Sequence, residues 1–414
     1  SNYRAYVRSG WLSIPASATT DGRMLIGTRG IRGFVDGMVY VMLPAYLLAL
    51  GFSGVQIGAV IAASLFGSAI FTIGTGLIAH RIAPARLLIY ASCIMIATGI
   101  AFGITTSFIA LLVIGFLGTM NPSAGDVSMF LPLEQAAVSQ SVSDTDRTAM
   151  FALYNLSGAL VGSIGALCAG IPLWLALRYH HSSLTGYRST FVMYALAGVV
   201  VLFIYQRLSS HANTHPTNSA HALTESRRVV YKLAALFSLD SLGGGFATQA
   251  IFALWVFHKF DLAVSTLGAI FFATGVLSAF SSLLSVRIAK RIGLVRTMVF
   301  THIPASLLLV GVVFMPNVWL AMSLFILRGL LSQMDVPVRQ SYVMAVVTPP
   351  ERAAAASITN VPRSLATALP PIAAGWMLDQ SNFGWPLLAC AALKIIYDLL
   401  LLAQFRNVRP PEEQ

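Results

Sequence analysis

Ionisable side chains stand where a lipid-buried chain would put hydrophobic ones. Arg29, Arg32, Asp36, Asp126, Glu134, Asp240, Arg328, Asp335, Arg339, Arg363, Lys394 and Asp398 each interrupt a long apolar run. At the centre of a bilayer such a charge costs at least ~2.5 kcal/mol, so it faces protein or a water-filled cavity and marks an ion or solute path. A carboxylate at depth can take a proton from one side and release it to the other. A guanidinium can neutralise that carboxylate or grip an anionic solute. Other chemistries lack their residues. Cys93, Cys168 and Cys390 sit singly in apolar runs, without disulfide or metal spacing. His211, His215 and His221 lie in a polar stretch that reads as a linker rather than a metal site. No phosphate loop, HExxH or paired CxxC occurs, so no cofactor, no metal and no enzymatic activity are expected.

Helices must carry these charges. Of 414 residues, 57% are hydrophobic and 10% charged, against about 45–50% and about 25% in soluble domains. The mean hydropathy is +0.76. This excludes an ordinary soluble enzyme and a disordered chain. Apolar runs of about 20 residues, each enough for one span, fall at 24–50, 55–79, 87–104, 107–131, 148–177 and 190–206, then at 229–257, 264–286, 297–314, 317–340, 354–378 and 384–404. Only helices or closed barrels satisfy their backbone in hydrocarbon, so twelve transmembrane helices are expected. The formal net charge is +11. In a soluble protein that excess raises nucleic-acid binding. Here it follows the bias of cytoplasmic loops toward Lys and Arg. With the N-terminus inside, Arg178, Arg188 and Lys259 are the basic residues left in outside loops. Both termini are therefore expected in the cytoplasm, in a multi-pass protein of the cytoplasmic (inner) membrane. The first 23 residues are polar with scattered Arg and do not read as a cleavable signal.

The chain repeats itself. Offset by 205 residues, 129–170 lies on 334–375 without a gap, matching Pro132 with Pro337, Gln135 with Gln340, Arg147 with Arg352, Asn155 with Asn360 and Gly170 with Gly375. Offset by 210, Gly58-Ala59 lies on Gly268-Ala269, and Arg81 and Arg86 lie on Arg291 and Arg296. Two similar halves of one orientation form a parallel repeat. The expected divisions are a cytoplasmic tail at 1–23, a six-helix bundle at 24–207, a Ser-, Asn- and His-rich linker at 208–228, a second bundle at 229–405 and a tail at 406–414.

The loop after the second span reads Gly76-Leu77-Ile78-Ala79-His80-Arg81-Ile82-Ala83-Pro84-Ala85-Arg86. With the repeat, it resembles the major facilitator superfamily over essentially the whole chain. Gly76, Leu77, Ala79 and Arg81 fit that family's loop motif. His80 replaces its acid, and Lys290 holds the equivalent place in the second copy, so the cytoplasmic lock that this acid helps form is expected to be built differently. Gly158, Gly162 and Gly165, followed by Gly170-Ile171-Pro172, loosely resemble the glycine-rich fifth helix of the family's drug–proton antiporters. Close helix packing is the competing reading. The resemblance implies an all-α integral membrane fold of two pseudo-symmetric six-helix bundles. It also implies that the first, fourth, seventh and tenth helices line a central cavity, and most of the buried charges fall on those four.

The function expected is secondary active transport by alternating access, driven by protons, with efflux of a small organic solute as the leaning. An importer or exchanger of an organic anion held by Arg328 is the alternative, and a non-transporting sensor or scaffold the alternative of another class. Asp36 is the expected proton carrier, with Asp240 its equivalent in the second half and Asp126 the rival. Arg32, Arg328, Tyr40, Gln249 and Trp255 are candidate substrate contacts. Glu134 and Arg339 occupy equivalent positions and are expected to close a cytoplasmic gate, with Asp335 competing for Arg339 within its helix. Lys394 and Asp398, four apart, are expected to pair. Gly76, Arg81, Arg86, Arg291 and Arg296 form the loop motif. Expected partners are a small-molecule substrate, protons and the lipid bilayer, with no nucleic acid, and the chain is expected to be a monomer.

Overall fold

The computed structural model describes residues 14–78, 82–123, 128–143, 146–209, 224–348 and 351–405. These form seventeen helices and no strand. The first half comprises α1 (Thr20–Ala49), α2 (Gly54–Ile78), α3 (Pro84–Ile104), α4 (Phe108–Leu117), α5 (Phe130–Gln140), α6 (Arg147–Cys168), α7 (Ile171–Arg178) and α8 (Ser183–Tyr205). The second comprises α9 (Arg227–Gly245), α10 (Gln249–Phe260), α11 (Val264–Ile292), α12 (Leu294–Phe314), α13 (Val318–Gly329), α14 (Asp335–Val346), α15 (Arg352–Ala368), α16 (Pro370–Gln380) and α17 (Trp385–Phe405).

Eight stretches are long and apolar enough to cross a membrane by themselves: 20–49, 54–75, 84–104, 149–178, 183–206, 264–281, 294–314 and 385–405. The other four expected spans are each split into two shorter helices, namely α4/α5, α9/α10, α13/α14 and α15/α16. Local chemistry explains the splits. Asn121-Pro122-Ser123 lies between α4 and α5, where Asn121 Oδ1 accepts the Ser123 N–H at 3.0 Å, a side-chain turn that competes with helix. Gly243-Gly244-Gly245 ends α9, and Thr248 caps α10 by accepting the Ile251 N–H at 3.3 Å. Pro370-Pro371 starts α16, a first-turn position that proline tolerates. Irregular backbone at membrane depth survives where it is buried in protein or lines a cavity. Two of the breaks meet: the Ala250 N–H donates to the Pro122 carbonyl at 3.2 Å.

The two halves join mainly at one end, marked by the turns 50–53, 261–263 and 381–384, which the charge bias expects outside. α2 packs on α15 and α16, α6 on α11, and α10 on α1. Gly58 lies against the Pro371 carbonyl, and Gly268 against the Ala166 carbonyl, contacts with no room for a Cβ. Asp379, at the end of α16, accepts the Gly54 N–H at 2.6 Å and the Val55 N–H at 2.9 Å. A C-terminal-half carboxylate thereby caps the first turn of α2. One apolar core runs through the first half and the outer part of the second. The inner part of the second half has its own core, around Phe237, Met298, Tyr342, Tyr397 and Leu401. Packing shared between the halves at the end that bears these turns, with a separate second-half core at the other end, describes a state closed at the 50–53 end.

The linker meets the second half at Glu351. Its carboxylate accepts the N–H groups of Thr224 (2.5 Å), Glu225 (3.0 Å) and Ser226 (3.0 Å), and the Thr224 hydroxyl (2.8 Å), just ahead of α9. Hydrogen bonds to the ionised form, that of the Thr224 N–H foremost, hold its pKa down to about 2 from 4.5. Because the folded value is the lower one, this anchor is complete above pH 4.5 and fades as pH falls toward 2. At neutral pH, Glu351→Gln should speed hydrogen exchange at 224–228 relative to wild type, and the difference should vanish in that acid window. Equal exchange at pH 7 would show that the anchor holds nothing in place.

Residues 210–223 of the expected linker, and Ala79, His80 and Arg81 of the loop motif, lie outside the described residues.

Candidate functional site

Arg29, Arg32, Asp36 and Tyr40 share one face of α1 by their spacing of three and four residues. α6 packs along this helix. Gly33 lies against Gly158, Gly37 against Gly162, and Gly165 against Phe34, each contact too close for a Cβ. The glycine stripe of the fifth span is thus a helix-packing device.

Glu134, on α5, is fully enclosed and is the hub of the first half. It forms an ion pair with Arg32 and accepts hydroxyls from Tyr154 on α6 and Tyr205 on α8. Thr28 of α1 adds a fourth donor at 2.7 Å. The Arg32 guanidinium lies over the Phe130 ring at 4.3 Å. Four donors from three helices saturate the two carboxylate oxygens. The expected Glu134–Arg339 gate is therefore not assembled in this state, because both of its members are bonded within their own halves. Removing one member of a buried ion pair strands the other, at a cost of about 3–5 kcal/mol. Glu134→Leu should accordingly lower the unfolding temperature sharply in detergent, and more than Arg32→Leu with Glu134→Leu combined. If the double variant is no more stable than the single one, the pair is not what holds these helices.

The second half has a second hub. Asp240, on α9, accepts Lys394 Nζ from α17 at 2.7 Å and Arg339 Nη1 from α14 at 3.3 Å. Arg339 also binds Asp335, one turn earlier, at 2.9 Å, the intrahelical pair expected from spacing. Lys394 and Asp398 do not pair as expected. Lys394 turns to Asp240, and Asp398 binds His302 Nδ1 of α12 at 3.0 Å. Lys394 Nζ approaches His302 Nε2 at 3.3 Å. An ammonium has no lone pair, so Nε2 accepts and Nδ1 carries the proton toward Asp398. Asp240 is thus clamped by two cations, whereas its equivalent Asp36 is half-buried and has no hydrogen bond or ion pair among the described residues.

The remaining candidates separate. Arg328, at the end of α13, is half-buried with no ion pair among the described residues. Its buried Nε has no hydrogen-bond partner, and its guanidinium lies 5.8 Å from the Phe325 ring. Tyr40 packs edge-on against Phe271 at 5.4 Å. Trp255 is fully enclosed and donates Nε1–H to the Asn382 carbonyl at 3.2 Å, so it is a packing residue here and walls no cavity. Gln249 opens α10 beside the break. Arg86, Arg291 and Arg296 are exposed; Gly76 lies within α2. Asp126 lies outside the described residues.

The sequence reading missed three features. His302, a lone histidine in an apolar run, carried no spacing signal. Tyr154 and Tyr205, single aromatics in apolar runs, carried no spacing signal either. α15 has a polar face, Ser357, Asn360 and Ser364, with Arg363 beside it. That pattern, at a helical period in an otherwise apolar span, was the available signal for a wall facing water.

Comparison with known proteins fits this architecture. The model of the Major Facilitator Superfamily matches residues 25–257 and again 233–414. A Saccharomyces cerevisiae protein, "Uncharacterized membrane protein YJR124C", is 25% identical over 427 residues, covering 94% of this chain and 95% of its own length. Among solved structures, a variant of the nucleoside transporter NupG superposes with TM-score 0.73 at 13% identity, covering 93% of this chain and 100% of its own. A bacterial homolog of the human lysosomal transporter Spinster, inward-facing and unoccupied, gives TM-score 0.70 at 13% identity over 94% and 96%. With the family model matched to each half in turn, and the halves joined as described, the chain belongs to the Major Facilitator Superfamily.

Proposed function

We propose that this membrane transporter is proton-coupled, carrying a small organic solute by alternating access across twelve spans, with both termini in the cytoplasm. Asp36 is the proton carrier in this reading. The observation that supports it is the contrast among the deep acids: Glu134, Asp240, Asp335 and Asp398 are all bonded to cationic or imidazole partners, and Asp36 is left without one among the described residues. An acid whose charge no fixed partner neutralises is suited to exchanging a proton as its access to water changes. Arg32, one turn away, is ion-paired to Glu134. The breaks in α9/α10 and α13/α14 supply joints for the opening of one end and closing of the other. The efflux expectation rests on the glycine stripe and on the mid-membrane acid of the first helix; the stripe packs α6 onto α1 and carries no information on direction.

The test uses proteoliposomes in weak buffer. A stabilising ligand is first found by thermal shift, since a ligand raises stability only by binding the folded state. Letting that ligand run down its own gradient should then shift the external pH, and the shift should vanish in Asp36→Asn. Solute flux without proton movement would overturn the coupling.

A further inference from the structure

We propose that Arg328 and Arg363 form the docking site for an anionic group on the transported solute, which on this transport reading makes the substrate an organic anion that moves in the same direction as the proton. Charges on the deep helices mostly cancel in pairs. Arg32 answers Glu134. Arg339 and Lys394 answer Asp240 and Asp335. In the second half the two half-buried guanidiniums, Arg328 and Arg363, have no carboxylate within ion-pair distance among the described residues. Arg328 leaves a buried Nε without any acceptor. Arg363 finds only neutral oxygens, Ser241 Oγ at 3.2 Å and Asn360 Oδ1 at 3.3 Å. An uncompensated cation at membrane depth is costly unless water or a ligand meets it.

Their surroundings fit a solute rather than lipid. Arg363 stands beside the polar face of α15, where Ser357 and Asn360 are exposed. Facing hydrocarbon, those groups would lack hydrogen-bond partners, so this face opens on water. Arg328 follows Phe325 by one turn, and Phe325 stacks on Phe252 with centroids 3.9 Å apart. A guanidinium beside an aromatic ring suits an anionic group on an apolar or planar body.

The sign of coupling follows from charge. An ionised Asp36 repels an anion in the same path, and a proton on Asp36 removes that repulsion. Proton and anion therefore strengthen each other's binding, and linkage makes the effect reciprocal. Partners that bind together cross together.

Equilibrium binding tests this without any flux. The purified chain would be screened by thermal shift, at constant ionic strength in chloride, against carboxylates, sulfonates and phosphate monoesters, each paired with its neutral amide or ester. At least one anion should raise the unfolding temperature where its neutral counterpart does not. Its Kd should weaken about tenfold or more in Arg328→Gln and in Arg363→Gln. Its binding should tighten as pH falls in wild type and become pH-independent in Asp36→Asn. Should Arg328→Gln fail to fold, Arg328→Lys keeps the charge but not the planar fork, and should show weakened binding. Stabilisation by neutral or cationic compounds alone, no response to any anion, or anion binding that survives both substitutions would overturn the site. An anion that binds through these arginines but never crosses the bilayer would count against the transport reading and leave the site standing. Gradient-driven flux of a neutral or cationic solute would do the reverse.

Discussion

Asp36→Asn should abolish accumulation of solute against its gradient while leaving equilibrium binding largely intact. The substitution keeps the shape of the side chain and removes its titrating proton. Because Asp36 has no bonded partner among the described residues, the change strands no neighbouring charge, and the unfolding temperature should stay near that of wild type. The matching change at its equivalent, Asp240→Asn, has a different expected result. Asp240 holds Lys394 and Arg339, and weakening that hub leaves two cations poorly paired in the interior, so stability should fall. A protein in which both variants lose stability alike and transport alike would show that Asp36 is structural. Accumulation that persists in Asp36→Asn would move the proton elsewhere, with Asp126 the next residue to neutralise.

Asp379→Ala should open the outer end. Two charge-assisted bonds tie this carboxylate to the first turn of α2, each worth about 1.5–3 kcal/mol. They cross between the halves, so they exist only while the outer end is shut. Losing even one such bond shifts a two-state equilibrium by about tenfold or more. Spin labels at Thr106 and Pro316, on outer turns of the two halves, in a background with Cys93, Cys168 and Cys390 replaced, should report a short distance in wild type and a long-distance population in Asp379→Ala. The Gly54–Gly375 and Gly58–Pro371 approaches remain in the variant, so the closed population should shrink rather than vanish. An unchanged distance distribution would mean that backbone packing alone holds the outer end.

Much of this was legible before the fold was seen. Apolar runs long enough to span a bilayer locate the helices, the internal offset locates the two halves, and the cost of charge in lipid singles out the deep ionisable residues. Charge pairing was not legible. Glu134 meets Arg32 across 102 positions and Asp240 meets Lys394 across 154, and such partners are set by how helices pack, not by spacing along one helix. Spacing gave Asp335–Arg339 correctly and Lys394–Asp398 incorrectly, because His302 and Asp240 on neighbouring helices offer those two side chains better partners. Pseudo-symmetry placed Glu134 opposite Arg339, but equivalence by repeat says nothing of which donors fill each carboxylate. The helix breaks were visible only as glycines and prolines. Asp379 carried no signal in the sequence, since its role depends on the distant N-terminus of α2.

The central claim is that this chain converts a proton gradient into solute movement. The direct measurement takes a ligand found by thermal shift, seals the purified protein into liposomes and imposes a pH gradient across the membrane. Solute should build up on one side beyond its equilibrium level, collapse when an uncoupler is added, and fail to build up in Asp36→Asn. Solute that binds the protein but never crosses, or that crosses at a rate and to an extent indifferent to the pH gradient, would contradict it.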